Sequence, residues 1–399
     1  MQNSYGVDLE LMPKELAFLI EILKTKNTED NNWFSYKDTY KSINWDHFLR
    51  LAIYHRVYPI IYLKFKKIRK NWIPQYVIKT LHQEYIKNTY QMLKLSAEME
   101  RINELFNGSN IRLLFLKGPV IAKDLYGDIS LRTSRDLDIL ISIKDLEKAE
   151  SILRDYGYKR KEVPTPFWKL RNHHVTYFHP YKGLILEIHW RLHPQSINEP
   201  RFDDLWERRR VSSVSSYSLH YLGNEDLFFY LVAHGARHGW FRLRWLLDIN
   251  QILSKKSYIK SDGKTINKFV DRHLGGEINY LGQALILVSV LFQTSVNPKM
   301  KLATEIMGAR KLTKKTITYI SKRAEFNSIL SEEDFAKNQK RYLFTMKSSY
   351  QKLLFILNLF YPNPKDAEAL LLPRHLRFLY LPLRPFLWAV RKKRKPIKR

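Results

Sequence analysis

Arg132-Thr133-Ser134-Arg135-Asp136-Leu137-Asp138-Ile139-Leu140-Ile141 decides how this chain is read. From Leu137 onward the run predicts a short buried strand. Its two carboxylates stand at i and i+2, and in an extended chain such side chains point to one face. Two unpaired negative charges side by side in a buried place are costly, so something positive must stand between them. A pair of divalent cations meets that need, because two metals ~3.5–4 Å apart clamp the attacking and leaving oxygens of a phosphoryl displacement. The same triplet also fits a strand end whose aspartates cap a helix or pair with Arg132 and Arg135. The neighbouring segments weigh between these readings.

Upstream, Arg112-Leu113-Leu114-Phe115-Leu116 reads as a second buried strand, launched from the turn Asn107-Gly108-Ser109-Asn110. It runs into Lys117-Gly118-Pro119 and a short helix over 119–126, stopped by Gly127, with Pro and Gly at the expected ends. A strand feeding a glycine and then a helix N-terminus leaves backbone N–H groups free for an anion. Downstream, Gly183-Leu184-Ile185-Leu186-Glu187-Ile188-His189-Trp190 alternates as a strand and carries a third carboxylate. By period two, His189 shares the face of Glu187.

Strand, glycine turn, helix, Asp-x-Asp strand, helix, and hairpin with Glu is the layout of a minimal nucleotidyltransferase domain of the DNA polymerase β superfamily. Leu116-Lys117-Gly118, Leu125-Tyr126-Gly127-Asp128 and Leu131 to Asp138 resemble an uncharacterised bacterial family of nucleotidyltransferases. So do Leu186-Glu187-Ile188-His189-Trp190 and Arg242-Leu243-Arg244-Trp245-Leu246-Leu247-Asp248, a resemblance covering about 90–260. It implies an α+β fold: a small mixed β-sheet core, polymerase β-like, flanked by N-terminal and larger C-terminal α-helical regions. It also implies that Asp136, Asp138 and Glu187 are the catalytic carboxylates and metal ligands. Lys117, Gly118, Arg132 and Ser134 would hold the phosphates of a nucleoside triphosphate. The superfamily's usual Gly-Gly or Gly-Ser turn is here Lys117-Gly118, where the lysine acts as a point charge on phosphate. A few carboxylates plus substrate phosphates suit two Mg²⁺ ions, with Mn²⁺ as their substitute. The reaction would be in-line attack on the α-phosphate by an unidentified hydroxyl acceptor, releasing pyrophosphate. The competing class is a non-catalytic nucleotide- or polyanion-binding module on the same shell, which the retention of all three carboxylates argues against.

At 399 residues the chain has room for two or three domains, and 45% hydrophobic and 14% aromatic content excludes global disorder. The absence of cysteine excludes disulfides and thiolate metal sites. Without a signal-peptide pattern, and without the ~18 apolar residues of a spanning helix, a cytoplasmic protein is expected. A net charge of +29 draws polyanions, whether RNA, DNA, an anionic membrane or a nucleoside triphosphate. The lysines are scattered over solvated helix faces, however, and no RNA-binding signature is present.

Four regions are expected: a helical lobe over 1–106, the nucleotidyltransferase core over 107–200, an α-helical domain over 201–365, and an apolar and basic tail over 366–399. Helical stretches are predicted at 1–26, Trp45–Phe65, Ile78–Phe106, Ile143–Tyr156, 263–296, 301–322 and 331–361. Beyond Pro194 the pattern reads as helical throughout. A strongly amphipathic stretch runs from Asp226 to Ser254. There His234 and His238 stand four apart, the spacing of a zinc pair, but no third ligand is near. With His189, Arg242 and Arg244 they are expected to line the nucleotide or acceptor cleft. The bland alternative pairs Arg244 with Asp248 at i,i+4. His173, His174 and His179 stay unassigned. The prolines Pro373, Pro382 and Pro385 forbid one continuous spanning helix in the tail. Its aromatic and leucine-rich run ending in Arg391-Lys392-Lys393-Arg394-Lys395 suits an anionic membrane surface, packing on the helical domain with a free tail, or contact with RNA phosphate.

Overall fold

The computed structural model describes residues 5–10, 12–24, 42–67, 72–162, 168–194, 199–255, 277–324, 341–346, 352–353, 370–373, 376 and 379–394. Within them the chain is α+β, as the resemblance implies. Seven strands form one mixed sheet: β1 Leu113–Phe115, β2 Asp136–Ile141, β3 Lys159–Arg160, β4 His174–His179, β5 Leu184–His189, β6 Arg210–Val211 and β7 His220–Tyr221. Their order is β3-β4-β5-β2-β1-β7-β6. Central β2 is buried from Leu137 to Ile141, which is why it reads as a continuous apolar run. β4 alternates buried and half-buried residues, since one of its faces is turned toward solvent.

β2 runs antiparallel to β1 and parallel to β5, in a register that sets Asp138 opposite Glu187 and Asp136 opposite Ile185. Antiparallel pairing of β4 with β5 puts Thr176 opposite Glu187 and His174 opposite His189. The helices that matter here are α1 Lys14–Lys24, α2 Trp45–Tyr54, α3 Tyr58–Lys67, α4 Gln75–Asn107, α5 Pro119–Tyr126, α6 Leu146–Asp155, α7 Asn224–Arg237, α8 Leu243–Ser254, α9 Glu277–Phe292, α10 Met307–Ala324 and α11 Tyr380–Arg394.

Several expectations are corrected. The stretch Trp45–Phe65 is two helices, broken at His55-Arg56-Val57, where Arg56 takes a left-handed φ of 57°. Apolar periodicity passes through this corner, so sequence alone reads one helix. The region beyond Pro194 is not helical throughout, because β6 and β7 extend the sheet and β7 pairs in parallel with β1. Strands of two residues are too short for alternation to announce them. Asp226–Ser254 is likewise two helices, separated at 238–242 by a turn in which Trp240 has φ 54°. In the tail, α11 runs through Pro382 and Pro385, but at 15 residues it is shorter than a spanning helix. Pro382 falls in the first turn, where no intrahelical N–H bond is lost. No helix among the described residues is long and apolar enough to cross a membrane. The first part of the predicted 263–296 helix, most of 331–361 and the basic residues after Arg394 lie outside the described residues.

The connection between α5 and β2 is gripped from two sides. From α4, Asn88 Nδ2 donates to Ser130 O at 2.7 Å, and the Tyr85 hydroxyl lies 2.9 Å from Ser130 Oγ. From α8, the buried Asp248 accepts from Arg132 Nε and Nη2, each at 3.0 Å, and from the Tyr126 hydroxyl at 2.8 Å. Arg244 Nη1 donates to Thr133 O at 2.7 Å. Helices before and after the sheet therefore fix the segment that delivers the aspartates.

Candidate active site

β2 carries Asp136 and Asp138 on one face, and parallel pairing sets Glu187 beside Asp138 on that face. β1 leads through Leu116 into Lys117-Gly118. Gly118 has φ 85° and ψ −147°, a conformation open to glycine and costly for any residue with a Cβ. It turns the chain from the strand into α5, with Pro119 opening that helix.

Asp138 is the hub. Its side chain has no exposed surface, and Lys117 Nζ sits 2.8 Å from Oδ1. His189 Nε2 stands 3.3 Å from the same oxygen and 3.4 Å from Glu187 Oε2. His174 Nε2 is 3.9 Å from Glu187 Oε2. The second oxygen of Asp138, Oδ2, is buried with no hydrogen-bond partner.

The electrostatics separate the two aspartates. Burial pushes the Asp138 carboxyl up, but the Lys117 charge and the His189 hydrogen bond outweigh it and hold the group well below the usual range. For Asp136, burial and the Asp138 charge push upward, and Lys117 offsets them only in part. Burial also raises Glu187, but the hydrogen bond from His189 brings it below the ordinary value. His189 is lowered by burial and raised by its bonds to Asp138 and Glu187, with the net shift upward.

Asp138, Glu187 and His189 offer donor atoms within 4.8 Å of one another. Carboxylates facing one another with an orphaned buried oxygen among them are a donor set that fits a hard divalent cation such as Mg²⁺ or Mn²⁺. A second group, His173, His174 and His189, meets the same spacing. Arg237 Nη1 approaches His173 Nε2 at 3.3 Å. The sequence gives His173 and His174 no role, because only the β4–β5 register shows that His174 faces His189. His179 is elsewhere, buried edge-on to the Tyr158 ring at 5.0 Å.

Other anticipated residues divide. Ser134 is at the entry to β2, its Oγ donating to Asp136 O at 3.1 Å. Arg132 is turned toward α8. Its side chain is 1% exposed and its charge is taken by Asp248. That pair also replaces the i,i+4 alternative, since Asp248 bonds Arg132 across 116 residues. His234 and His238 have rings 4.6 Å apart, and His238 stacks on Trp245. Burial first, and then the Lys117 and Arg237 charges among others, keep His234 neutral far below its usual value and push His238 down to about 3. Neither belongs to the groups with metal-ligand spacing found among the described residues. Arg242 and Arg244 lie at the start of α8, joined by a residue not anticipated, Arg56 of the α2–α3 corner.

A family model described as an uncharacterised nucleotidyltransferase matches residues 41–269, more than half of the chain. The chain belongs to this nucleotidyltransferase family. The matched region begins before α2 and runs past α8, so it takes in both helices that grip the entry to β2 as well as the sheet between them. No curated protein matches the chain. The nucleotidyltransferase is thus an enzyme that transfers nucleotidyl groups, and its three carboxylates lie within the matched residues.

Proposed function

We propose that the protein is a metal-dependent nucleotidyltransferase that moves a nucleoside monophosphate from a nucleoside triphosphate to a hydroxyl acceptor. Asp136, Asp138 and Glu187 hold the metal, Mg²⁺ by its match to carboxylates and substrate phosphates. The observation that carries this reading is the buried, unpartnered Asp138 Oδ2 beside Glu187 and His189. Bound there, the metal supplies Lewis-acid polarisation of phosphoryl oxygens and lowers the pKa of the acceptor hydroxyl.

The chain's own residues do the rest. Glu187, held ionised, accepts the hydroxyl proton as the acceptor oxygen attacks the α-phosphorus. The new O–P bond forms as the bond to the β-phosphate oxygen breaks, and pyrophosphate leaves with that electron pair. Lys117 brings positive charge next to the phosphates, and Gly118 turns the α5 N-terminus toward them. Ser134 braces the backbone of Asp136.

The test is incubation of the protein with each α-³²P-labelled nucleoside triphosphate, Mg²⁺ and a cell extract. The expected result is pyrophosphate release with label on an acceptor, abolished by EDTA. Nucleotide binding without pyrophosphate release under any of these conditions returns the site to a binding module.

A further inference from the structure

Besides the grip of α4 on Ser130, the N-terminal helices approach the start of β2 through the corner between α2 and α3. Between α2 and α3, His55 O accepts from Arg244 N at 3.3 Å, and His55 Nδ1 accepts from Leu243 N at 3.3 Å. His55 thereby caps α8, whose own N-cap residue Arg242 provides no side-chain bond. Arg244 continues to Thr133 O, close in the chain to Arg135 and Asp136. The corner thus sets Arg56 beside the start of α8, where Arg242 and Arg244 lie, in one electrostatic neighbourhood with the exposed Arg135 just before β2.

The gathering is costly. Among the described residues Arg56, Arg135 and Arg242 have no ion-pair partner, and the buried Nε atoms of Arg242 and Arg244 have no hydrogen-bond partner. Arg56 also takes a left-handed φ, where a residue with a Cβ is strained. Burial and its arginine neighbours push Arg56 down to about 9, and burial and Arg132 push Arg244 to about 10. Asp136 acts on Arg56 and Arg242 from the side of the carboxylates. Backbone strain, orphaned donors and like-charge repulsion are all offset by one kind of group, an anion with several oxygens and several charges. Guanidinium forks match phosphate oxygens in pairs, which a single carboxylate cannot satisfy four times over.

We propose that Arg56, Arg135, Arg242 and Arg244 form a polyphosphate clamp, to which the N-terminal helices contribute Arg56, seating the phosphates of a substrate next to Asp136. The assignment to a substrate rests on the nucleotidyl-transfer reading; the clamp itself does not. A clamp made from two helical regions, one before and one after the sheet in sequence, also couples phosphate binding to how those regions are docked on each other.

The test is calorimetric titration with inorganic tripolyphosphate in EDTA and 0.15 M salt, where charges more than ~8 Å apart are screened. Wild type is expected to bind with a stoichiometry near one. Arg56→Gln and Arg56→Gly should each weaken binding tenfold or more, and Arg56→Lys should retain part of it. Arg101→Gln, which removes an exposed cation on α4, should leave it unchanged. Arg56→Gly relieves the left-handed strain, so its melting temperature should not fall, and lost binding there is not lost folding. Absence of binding by wild type, or wild-type affinity in both Arg56→Gln and Arg56→Gly, overturns the clamp. Competition by a nucleoside triphosphate supports it and assigns the phosphates to the nucleotide. Simultaneous binding of the two supports it and assigns them to a phosphorylated acceptor. Tripolyphosphate binding that depends on Arg56, with no pyrophosphate release in the transfer assay, keeps the clamp and sinks the transferase reading.

Discussion

Asp136→Asn and Asp138→Asn are both expected to end nucleotidyl transfer, but to move stability in different directions. Sequence alone treats them alike: relief of like-charge repulsion would stabilise both variants. The structure separates them. Asp138 has no exposed side-chain surface, and its partner Lys117, 13% exposed, sits at 2.8 Å. Neutralising Asp138 strands that ammonium and removes the acceptor charge from His189. Removing one partner of a buried ion pair costs ~3–5 kcal/mol, and because Asn keeps an acceptor oxygen for Lys117, the low end, about 3 kcal/mol, is expected. Asp136 is the opposite case, since the fold already disfavours its charged form. A carboxyl raised in the folded state makes its charge a net burden at neutral pH, so its removal should leave stability unchanged or higher. The assay is urea unfolding of the three proteins in EDTA at pH 7.5, alongside pyrophosphate release in Mg²⁺. If both variants shift the midpoint in the same direction, the distinct roles given to the two aspartates are wrong.

Two more outcomes follow from particular contacts. In Gly235→Ala, the added Cβ would lie 2.1 Å from Cζ3 of Trp240, a fully buried ring, so the α7–α8 turn must shift. A loss of about 1–3 kcal/mol is expected from such overpacking, read as a lower urea midpoint, and an unchanged midpoint would show that the ring is not held as described. Acid should also weaken the fold early. Burial first, and then neighbouring arginines, push both His55 and His238 down from 6.5 to about 3. The unfolded chain therefore takes up protons that the folded one refuses. Stability is full above pH 6.5 and declines as pH falls toward 3, by about 1.4 kcal/mol per pH unit for each group well inside that window. Midpoints measured from pH 7.5 to 5 should fall steadily, and His238→Gln should flatten the slope; a flat wild-type profile would refute the neutral histidines.

What could be read in the sequence was what local period and punctuation encode. The Asp136–Asp138 face, the turn at Gly118, the Pro119–Tyr126 helix and the shared face of Glu187 and His189 all follow from spacing within a few residues. Choice of partner did not follow. Arg132 looked free for phosphate because the residue that takes its charge, Asp248, lies on a helix built 116 positions later. Arg56 was invisible for the complementary reason. Apolar residues continue in helical phase through the α2–α3 corner, and only the docking of His55 onto α8 gives that corner a purpose. Strands β6 and β7 escaped because two-residue strands are specified by the edge they join.

The pairing of Arg132 with Asp248 has a consequence for biosynthesis. While the chain is being made, Asp136 and Asp138 appear early, but the guanidinium beside them has no counter-charge until α8 has left the ribosome. Strand β1 likewise waits for β7, its parallel neighbour, which follows only after most of the sheet has been made. Contacts of such separation are closed late, after the entropy of the loop has been met. A nascent chain that has just completed the Asp-x-Asp strand, or a fragment ending before residue 243, thus has the carboxylates without the frame that aims them. Competence at this site arrives in one late step.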